Sequence, residues 1–299
     1  MSITLQPTKP TPGRHRRVLS GIWRQRRNSQ HCPELPRLDG QRALVTGGAA
    51  GIGEFISRGL IDRGAEVITL ARGLADASGE ALTAKAIYAD LAQPDSIVAA
   101  VEQLGTTPVD LLICNAGLLS KQASMSANGV ETTFAVNVLG HHILYRLLME
   151  RGLLSSNARI VLTSGDIYIL AQECSPTIPF DGTAKAYSRS KLGNLWQVAE
   201  LTKRYPQLHS SAVHPGVVAS GFGGSKQGLL GRLRSRQLIS EAAGAQASLI
   251  AATQALPRGA YWHNVFGLVD LPKGDPALNA TAAARLWDQL EALAAPYLK

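Results

Sequence analysis

The chain has 299 residues, of which 45% are hydrophobic, with a formal net charge of +8 and three cysteines. This length allows one large buried core, and three cysteines without paired spacing argue against a disulfide framework or a zinc site, which favours the reducing cytoplasm. Residues 1–38 hold eight of the 30 basic and one of the 22 acidic residues, so the rest is nearly neutral and no nucleic-acid partner is predicted.

Residues 1–38 form a basic segment that is interrupted by five prolines, with a short helix predicted over 17–27. The apolar stripe of that helix would consist of Val18, Leu19, Ile22 and Trp23. The segment fits a solvated tail, a peripheral membrane-surface contact or an organelle-targeting peptide. Because charged runs are usually solvated, we expect a flexible extension, followed by one folded domain over 39–299.

A glycine-rich turn follows the first predicted strand, in the sequence Arg-Ala-Leu-Val-Thr-Gly-Gly-Ala-Ala-Gly-Ile-Gly-Glu over residues 42–54. A strand, a glycine turn and a helix N-terminus together hold the pyrophosphate of a dinucleotide, because free N–H groups and the helix dipole face the phosphates. Gly47 would let the chain turn, Gly51 would let the backbone approach the ligand, and Gly53 would let helix and strand pack.

Strands and helices alternate along the rest of the chain. Further strands are predicted over 66–70, 85–91, 109–117, 158–163 and 210–214, and helices over 96–104, 130–154 and 184–205. This alternation predicts a Rossmann-type α/β fold, a doubly wound parallel sheet flanked by helices in a single domain. Residues 221–240 are rich in glycine and arginine and are predicted to form a flap that closes over a ligand.

Tyr187-Ser-Arg-Ser-Lys191 lies on the helix predicted behind the fifth strand, where residues four apart share a face. Five motifs in this order closely resemble the short-chain dehydrogenase/reductase family over 39–299. They are Thr46-Gly47-x3-Gly51-Ile52-Gly53, Asn115-Ala116-Gly117, Asn137, Tyr187-x3-Lys191 and His214-Pro215-Gly216. The chain looks most like the retinol-dehydrogenase and carbonyl-reductase-like branch, with the protochlorophyllide reductases as neighbours.

The resemblance implies an oxidoreductase that interconverts a small-molecule alcohol and a ketone or aldehyde by hydride transfer. Tyr187 would be the proton donor and acceptor, Lys191 would lower its pKa and hold the nicotinamide ribose, and Asn137 would anchor a water on the proton path. The family also suggests a homodimer or homotetramer. The alternatives are a catalytically silent NADP-binding regulatory protein and a double-bond reductase of the protochlorophyllide reductase type.

The resemblance places most other site residues around the cofactor. The expected cofactor contacts are Thr46, Gly47, Gly51, Ile52 and Gly53 in the glycine loop, Asp90 and Leu91 at the adenine ring, Asn115, Ala116 and Gly117 beside the cofactor, and Pro215, Gly216, Val217 and Ser220 at the nicotinamide. NADP is favoured over NAD, because Ala71 stands where an acid would bind the ribose 2′-hydroxyl. Arg72 follows it and can bind a 2′-phosphate.

The serine that polarises the substrate carbonyl is the point where this chain departs from the family pattern. The usual strand ends in two serines, of which the second binds the substrate oxygen, whereas here Ser164 is followed by Gly165. Ser164 is favoured for the role, since it is the only serine at that strand end. Thr163 or Asp166 could replace it, or the donor could be absent. No metal site is predicted.

Overall fold

The computed structural model describes residues 13–73, 84–218 and 238–298. Its strands are β1 (Arg42–Thr46), β2 (Glu66–Ala71), β3 (Lys85–Tyr88), β4 (Val109–Cys114), β5 (Leu154–Thr163), β6 (His209–His214), β7 (Ala260–His263) and β8 (Gly267–Leu268). They form one sheet in the order β3-β2-β1-β4-β5-β6-β7-β8, parallel except for β8, which runs antiparallel to β7.

Helices cover both faces of this sheet. The α-helices are α1 (Arg14–Asn28), α2 (Gly51–Ile61), α3 (Pro94–Glu102), α4 (Thr132–Phe134), α5 (Gly140–Glu150), α6 (Thr183–Arg204), α7 (Glu241–Thr253) and α8 (Ala280–Ala294). A π-helical turn, Ala135–Leu139, joins α4 to α5, and short 3-10 turns are Asp166–Leu170, Pro276–Leu278 and Ala295–Tyr297.

The central strands are apolar on both faces, as a parallel sheet between two helix layers requires. In β1, Ala43, Leu44 and Val45 are all fully buried. One hydrophobic core lies between the sheet and α2 with α7, and the other lies between the sheet and α3, α5, α6 and α8. The predicted single α/β domain with a doubly wound sheet is therefore confirmed.

The strand order reverses between β1 and β4. In an open parallel sheet, a crevice forms at the carboxyl ends of the strands where the order reverses, and ligands bind there. The segments after β1, β2, β3, β4, β5 and β6 carry many of the predicted site residues, so the fold brings those segments to one edge of the sheet.

The N-terminal segment contains a helix that packs against the body of the protein. Helix α1 is longer than the predicted helix over 17–27, and its buried residues are Arg17, Gly21 and Gln25. Leu38, further along, belongs to the core on the α2 side. Composition predicted a flexible extension, whereas residues 14–28 are helical. The difference arises because Arg17 forms a buried ion pair with Asp166, which is distant in the sequence, instead of being solvated by water.

Candidate active site

Tyr187 and Lys191 lie one turn apart on α6, so both side chains share a face of the helix. The Nζ atom of Lys191 lies 5.1 Å from the centre of the Tyr187 ring and donates a 2.9 Å hydrogen bond to the carbonyl of Thr163. The Nδ2 atom of Asn194 donates to the same carbonyl at 3.0 Å. Two side chains thus tie α6 to the carboxyl end of β5 and fix the lysine beside the tyrosine.

Burial shifts the pKa of both groups in opposite directions. It lowers the pKa of Lys191 to about 8 and raises the pKa of Tyr187 above its ordinary value, because each charged form loses hydration. The Tyr187 phenol therefore keeps its proton at neutral pH, which is the form that can donate one. Burial opposes the lowering of the Tyr187 pKa that the sequence predicts from the charge of Lys191.

Asn137 lies in the π-helical turn between α4 and α5, an irregularity that is frequent at functional sites. Its Oδ1 accepts a 2.6 Å hydrogen bond from the N–H of Leu118. Its Nδ2 donates to the Leu118 carbonyl and to Ser190 Oγ, each at 2.9 Å. The side chain is fully buried and holds the segment after β4 against α6. The role of Asn137 in anchoring a water stays a prediction.

Ser164 directly follows β5 and is 2% exposed. Its hydroxyl donates a 2.7 Å hydrogen bond to the carbonyl of Lys191. A hydroxyl has one proton, so this proton must turn away from Lys191 before it can reach a substrate. The Asp166 carboxylate is held in a buried ion pair, whereas the buried hydroxyl of Thr163 has no hydrogen-bond partner among the described residues. Ser164 as the carbonyl donor stays a prediction, with Thr163 as the alternative.

The glycine loop joins β1 to α2 as the pyrophosphate role requires. Gly47 has a φ of +65°, in the left-handed region that favours glycine. A Cβ atom on Gly53 would lie 2.0 Å from the carbonyl oxygen of Gly47, so no side chain fits there. Helix α2 begins at Gly51, and its free N–H groups and positive dipole end lie at this loop. These residues fit the phosphates of a dinucleotide.

Thr46 connects the glycine loop to the segment after β4. Its Oγ1 accepts a 3.0 Å hydrogen bond from the N–H of Ala116, and its carbonyl accepts one of 3.1 Å from Asn115 Nδ2. The Nε2 atom of His141 lies 2.9 Å from the same Oγ1, and burial lowers the pKa of His141 to about 4. His141 is not among the site residues predicted from the sequence. Its position four residues after Asn137 on one helical segment is the signal that could have found it.

The predicted adenine end also lies at this edge of the sheet. The Oδ1 atom of Asp90 accepts a 3.0 Å hydrogen bond from the N–H of Ala92, and Leu91 is buried. Arg72 directly follows β2 and is exposed. Because β1 and β2 pair in parallel, Arg72 lies at the same edge as the glycine loop. An exposed guanidinium at this point can contact an anionic group.

The predicted nicotinamide segment, 215–217, follows β6 and contacts α1. Gln25 Oε1 accepts a 2.9 Å hydrogen bond from the N–H of Val217, and Gln25 Nε2 donates one of 3.2 Å to the Val217 carbonyl. Both main-chain groups of Val217 are therefore already bonded within the protein. The predicted contact Ser220 and residues 221–237 of the predicted flap lie outside the described residues.

A buried ion pair lies behind this segment. Arg17 Nε contacts the two carboxylate oxygens of Asp166 at 3.1 and 2.9 Å, and the Tyr261 hydroxyl donates to Asp166 at 2.8 Å. Burial acts to raise the pKa of Asp166, but His263, His214 and Arg17 hold that pKa well below its usual range. Asp166 is therefore an anion whose carboxylate is already bonded to Arg17 and Tyr261.

No group of three or more His, Cys, Asp or Glu side chains in the described part of the chain could hold a metal ion.

The chain is similar to known proteins in both sequence and fold. The family profile for short chain dehydrogenase matches residues 41–227. Retinol dehydrogenase 12 of Homo sapiens is 33% identical over 244 residues, which cover 73% of this chain and 75% of that protein. A crystal structure of an uncharacterised protein from Mycobacterium Paratuberculosis has a TM-score of 0.72 and 26% identity, covering 89% of this chain and 98% of that one. The angucycline C-6 ketoreductase LanV with bound NADP shares the fold, with a TM-score of 0.62 and 21% identity over 79% of this chain and 98% of that one.

Proposed function

Because the chain belongs to the short-chain dehydrogenase family and is an oxidoreductase acting on CH–OH groups, we propose that it interconverts an alcohol and a ketone or aldehyde with NADP(H), using Tyr187 as acid and base. The observation that carries this proposal is the pairing of a half-buried, protonated phenol with the Lys191 ammonium 5.1 Å from its ring, at the carboxyl edge of the sheet. The similarity to retinol dehydrogenase 12 over most of the chain supports it.

In the reductive direction, Tyr187 gives its proton to the carbonyl oxygen of the substrate. A bound nicotinamide supplies the hydride. The phenolate that results lies beside Lys191, which is mostly protonated at neutral pH because its pKa is about 8. The positive charge stabilises the phenolate. In the oxidative direction, the same phenolate would take the proton of the alcohol.

Oxidation of NADPH, followed by absorbance against a panel of ketones and aldehydes, tests the activity. Tyr187→Phe should abolish turnover and leave the Kd for NADPH within about twofold, because the hydroxyl acts on the substrate rather than on cofactor binding. Tyr88→Phe removes the same atom from a half-exposed surface tyrosine and is the matched control.

Three outcomes would count against the proposal. Turnover of Tyr187→Phe within a few-fold of wild type would refute the assignment of the acid. NADPH binding without turnover of any carbonyl would indicate a regulatory NADP-binding protein. Reduction of a carbon–carbon double bond, with carbonyls left unchanged, would indicate a double-bond reductase.

For the cofactor we propose NADP(H) over NAD(H). The support is that Arg72 is exposed directly after β2, and that the residue before it is Ala71 rather than an acid. One charged contact with the 2′-phosphate is worth about 1.4 kcal/mol, or about tenfold in Kd. Fluorescence titration of the wild-type protein should show that preference. Equal titration curves for NADPH and NADH would refute it.

For α1 we propose a peripheral contact with an anionic membrane surface. Its outward face exposes 64% of Leu19 and 71% of Trp23, and exposed basic side chains flank them at Arg16 and Arg26. A helix that exposes apolar side chains flanked by basic ones can lie on an anionic bilayer surface without crossing it. Within the described ranges no helix has the length and hydrophobicity to span a membrane. Pelleting with phosphatidylserine vesicles that weakens as salt is added would support the contact.

The proposals for the oligomeric state and the compartment rest on the family resemblance and on the unpaired cysteines. We propose a homodimer or homotetramer in the cytoplasm. Light scattering of the purified protein at several concentrations separates these states from a monomer, and fractionation of cells separates the cytosolic from the membrane-bound pool.

A further inference from the structure

The buried face of α1 consists of Arg17, Gly21 and Gln25, spaced four residues apart, and its two polar side chains contact two loops at the carboxyl edge of the sheet. Gln25, at one end of this face, is 1% exposed. Its amide offers one acceptor and donors on a single planar group, and it uses both kinds on Val217. The Gln25 side chain therefore pairs with both the N–H and the carbonyl of Val217, as a residue of a neighbouring β-strand would.

Val217 is held from a second side as well. Its carbonyl accepts a 3.2 Å hydrogen bond from the N–H of Ile239, in addition to the bond from Gln25. Gly216 has a φ of +94°, and a Cβ atom there would lie 2.9 Å from Gln25 Oε1 and 2.4 Å from Asn264 Nδ2. The segment 215–217 is therefore clamped between α1 and the residues around Ile239 and Asn264.

Arg17, two turns before Gln25, fixes α1 to the loop after β5. Its Nη2 donates a 2.9 Å hydrogen bond to the Tyr168 hydroxyl, and its guanidinium carbon lies 5.7 Å from the ring centres of both Tyr168 and Tyr261. The carboxylate of Asp166 pairs with Arg17, and the backbone N–H of Asp166 lies 3.3 Å from Nδ1 of His214, the last residue of β6. The same helix thus holds the loop after Ser164 and the strand that leads into the nicotinamide segment.

The close approach of α1 to the sheet depends on Gly21, which lies between Arg17 and Gln25. A Cβ atom on Gly21 would lie 3.2 Å from the imidazole ring of His263, at the carboxyl end of β7. The helix is therefore seated against β7 as well as against the two loops. Arg17, Gly21 and Gln25 form one continuous contact face.

We infer that α1 is a positioning element of the active site, in which Gln25 sets the main chain of residues 215–217 for the nicotinamide and Arg17 anchors the helix. This inference rests on the proposed NADP(H) function. If α1 holds the segment in its binding geometry, then docking of α1 and binding of NADPH strengthen each other by the same factor. Gln25 is thus a positioning residue that acts through Val217.

The test compares Gln25→Met with Gln30→Met in the full-length chain. Methionine keeps the length and helix propensity of glutamine but removes both hydrogen bonds to Val217. Gln30 Nε2 donates a 3.1 Å bond to the Val265 carbonyl and does not contact 215–217, so it is the matched control. The Kd for NADPH is measured by fluorescence, kcat at saturating NADPH, and amide hydrogen exchange in residues 17–28 with and without NADPH.

We expect Gln25→Met to raise the NADPH Kd by about fivefold or more with kcat within about twofold, and Gln30→Met to change neither. NADPH should slow exchange in α1 of the wild type more than in Gln25→Met. An NADPH Kd for Gln25→Met within about twofold of wild type, or α1 exchange that NADPH leaves unchanged, would overturn the inference. Failure of the wild type itself to bind NADPH would refute the proposed function, and the inference with it.

Discussion

Replacing Arg17 with methionine removes the positive partner of Asp166 and keeps a long side chain in its place. The carboxylate, in a residue that is 3% exposed, would lose its contacts at 3.1 and 2.9 Å. Removing one partner of a buried ion pair costs about 3–5 kcal/mol, and Asp166 would keep only His263 at 3.3 Å and the Tyr261 hydroxyl at 2.8 Å. At about 2 °C per kcal/mol for a chain of this size, the Tm should fall by about 6–10 °C.

Thermal and urea unfolding measure this loss, and two further variants show its origin. Arg16→Met alters an exposed neighbour on the same helix and should change stability by less than about 0.5 kcal/mol. Arg17→Met combined with Asp166→Asn carries no buried unpaired charge, so it should be more stable than the sum of the single changes predicts, by about 2 kcal/mol. A loss below about 1 kcal/mol for Arg17→Met, or simple additivity in the double variant, would refute the reasoning.

The same substitution has a signature in pH. Because the pKa of Asp166 is held below its usual range, the ionised carboxylate contributes stability above its unfolded pKa of about 3.9, and this is lost as pH falls through the folded value. Arg17→Met raises the folded pKa of Asp166. The stability difference between wild type and variant should therefore be largest at neutral pH and shrink as pH falls from the raised folded pKa of the variant towards that of the wild type. A difference that stays constant would show that charge is not its origin.

Three further predictions concern other residues. Arg72→Ala should raise the NADPH Kd by about tenfold in a fluorescence titration and leave the NADH Kd unchanged; equal losses for both cofactors would contradict a phosphate contact. Ser164→Ala should lower kcat by at least about tenfold with NADPH binding unchanged, while Thr163→Val stays within about twofold. The reverse order would transfer the donor role to Thr163. Trp23→Ser should reduce pelleting with anionic vesicles and leave turnover unchanged, and undiminished pelleting would exclude this face as the contact.

Much of the fold could be predicted from the sequence, because strands buried on both faces are apolar runs and helices show a regular period. The strands predicted over 66–70 and 158–163 are confirmed as Glu66–Ala71 and Leu154–Thr163. The predicted helix over 130–154 is divided by a π-helical turn and ends at Glu150, and residue types do not mark a change to π-helical hydrogen bonding. Helix α7 was not predicted, because it is rich in alanine and buried on most sides, which leaves no polar face to mark a period.

The candidate site divides in the same way. Tyr187 and Lys191 lie on one helix at a spacing that the sequence displays directly, so their proximity could be predicted. The burial of Arg17 could not, because its partner Asp166 is 149 residues away and a run of basic residues is usually solvated. The sequence indicated that the apolar side chains around Trp23 would form a stripe on α1. The structure instead buries the polar positions and exposes 71% of Trp23.

The docked helix also restricts the order in which the chain can fold. Its contacts join residues 149 apart at Asp166 and 192 apart at Val217, so α1 cannot dock until most of the sheet has been synthesised. At about 5–20 residues per second, a ribosome needs about 10–40 s to make the chain between Gln25 and Val217. Docking is therefore a late step, and weakening the α1 contacts should accelerate unfolding while the folding rate stays unchanged.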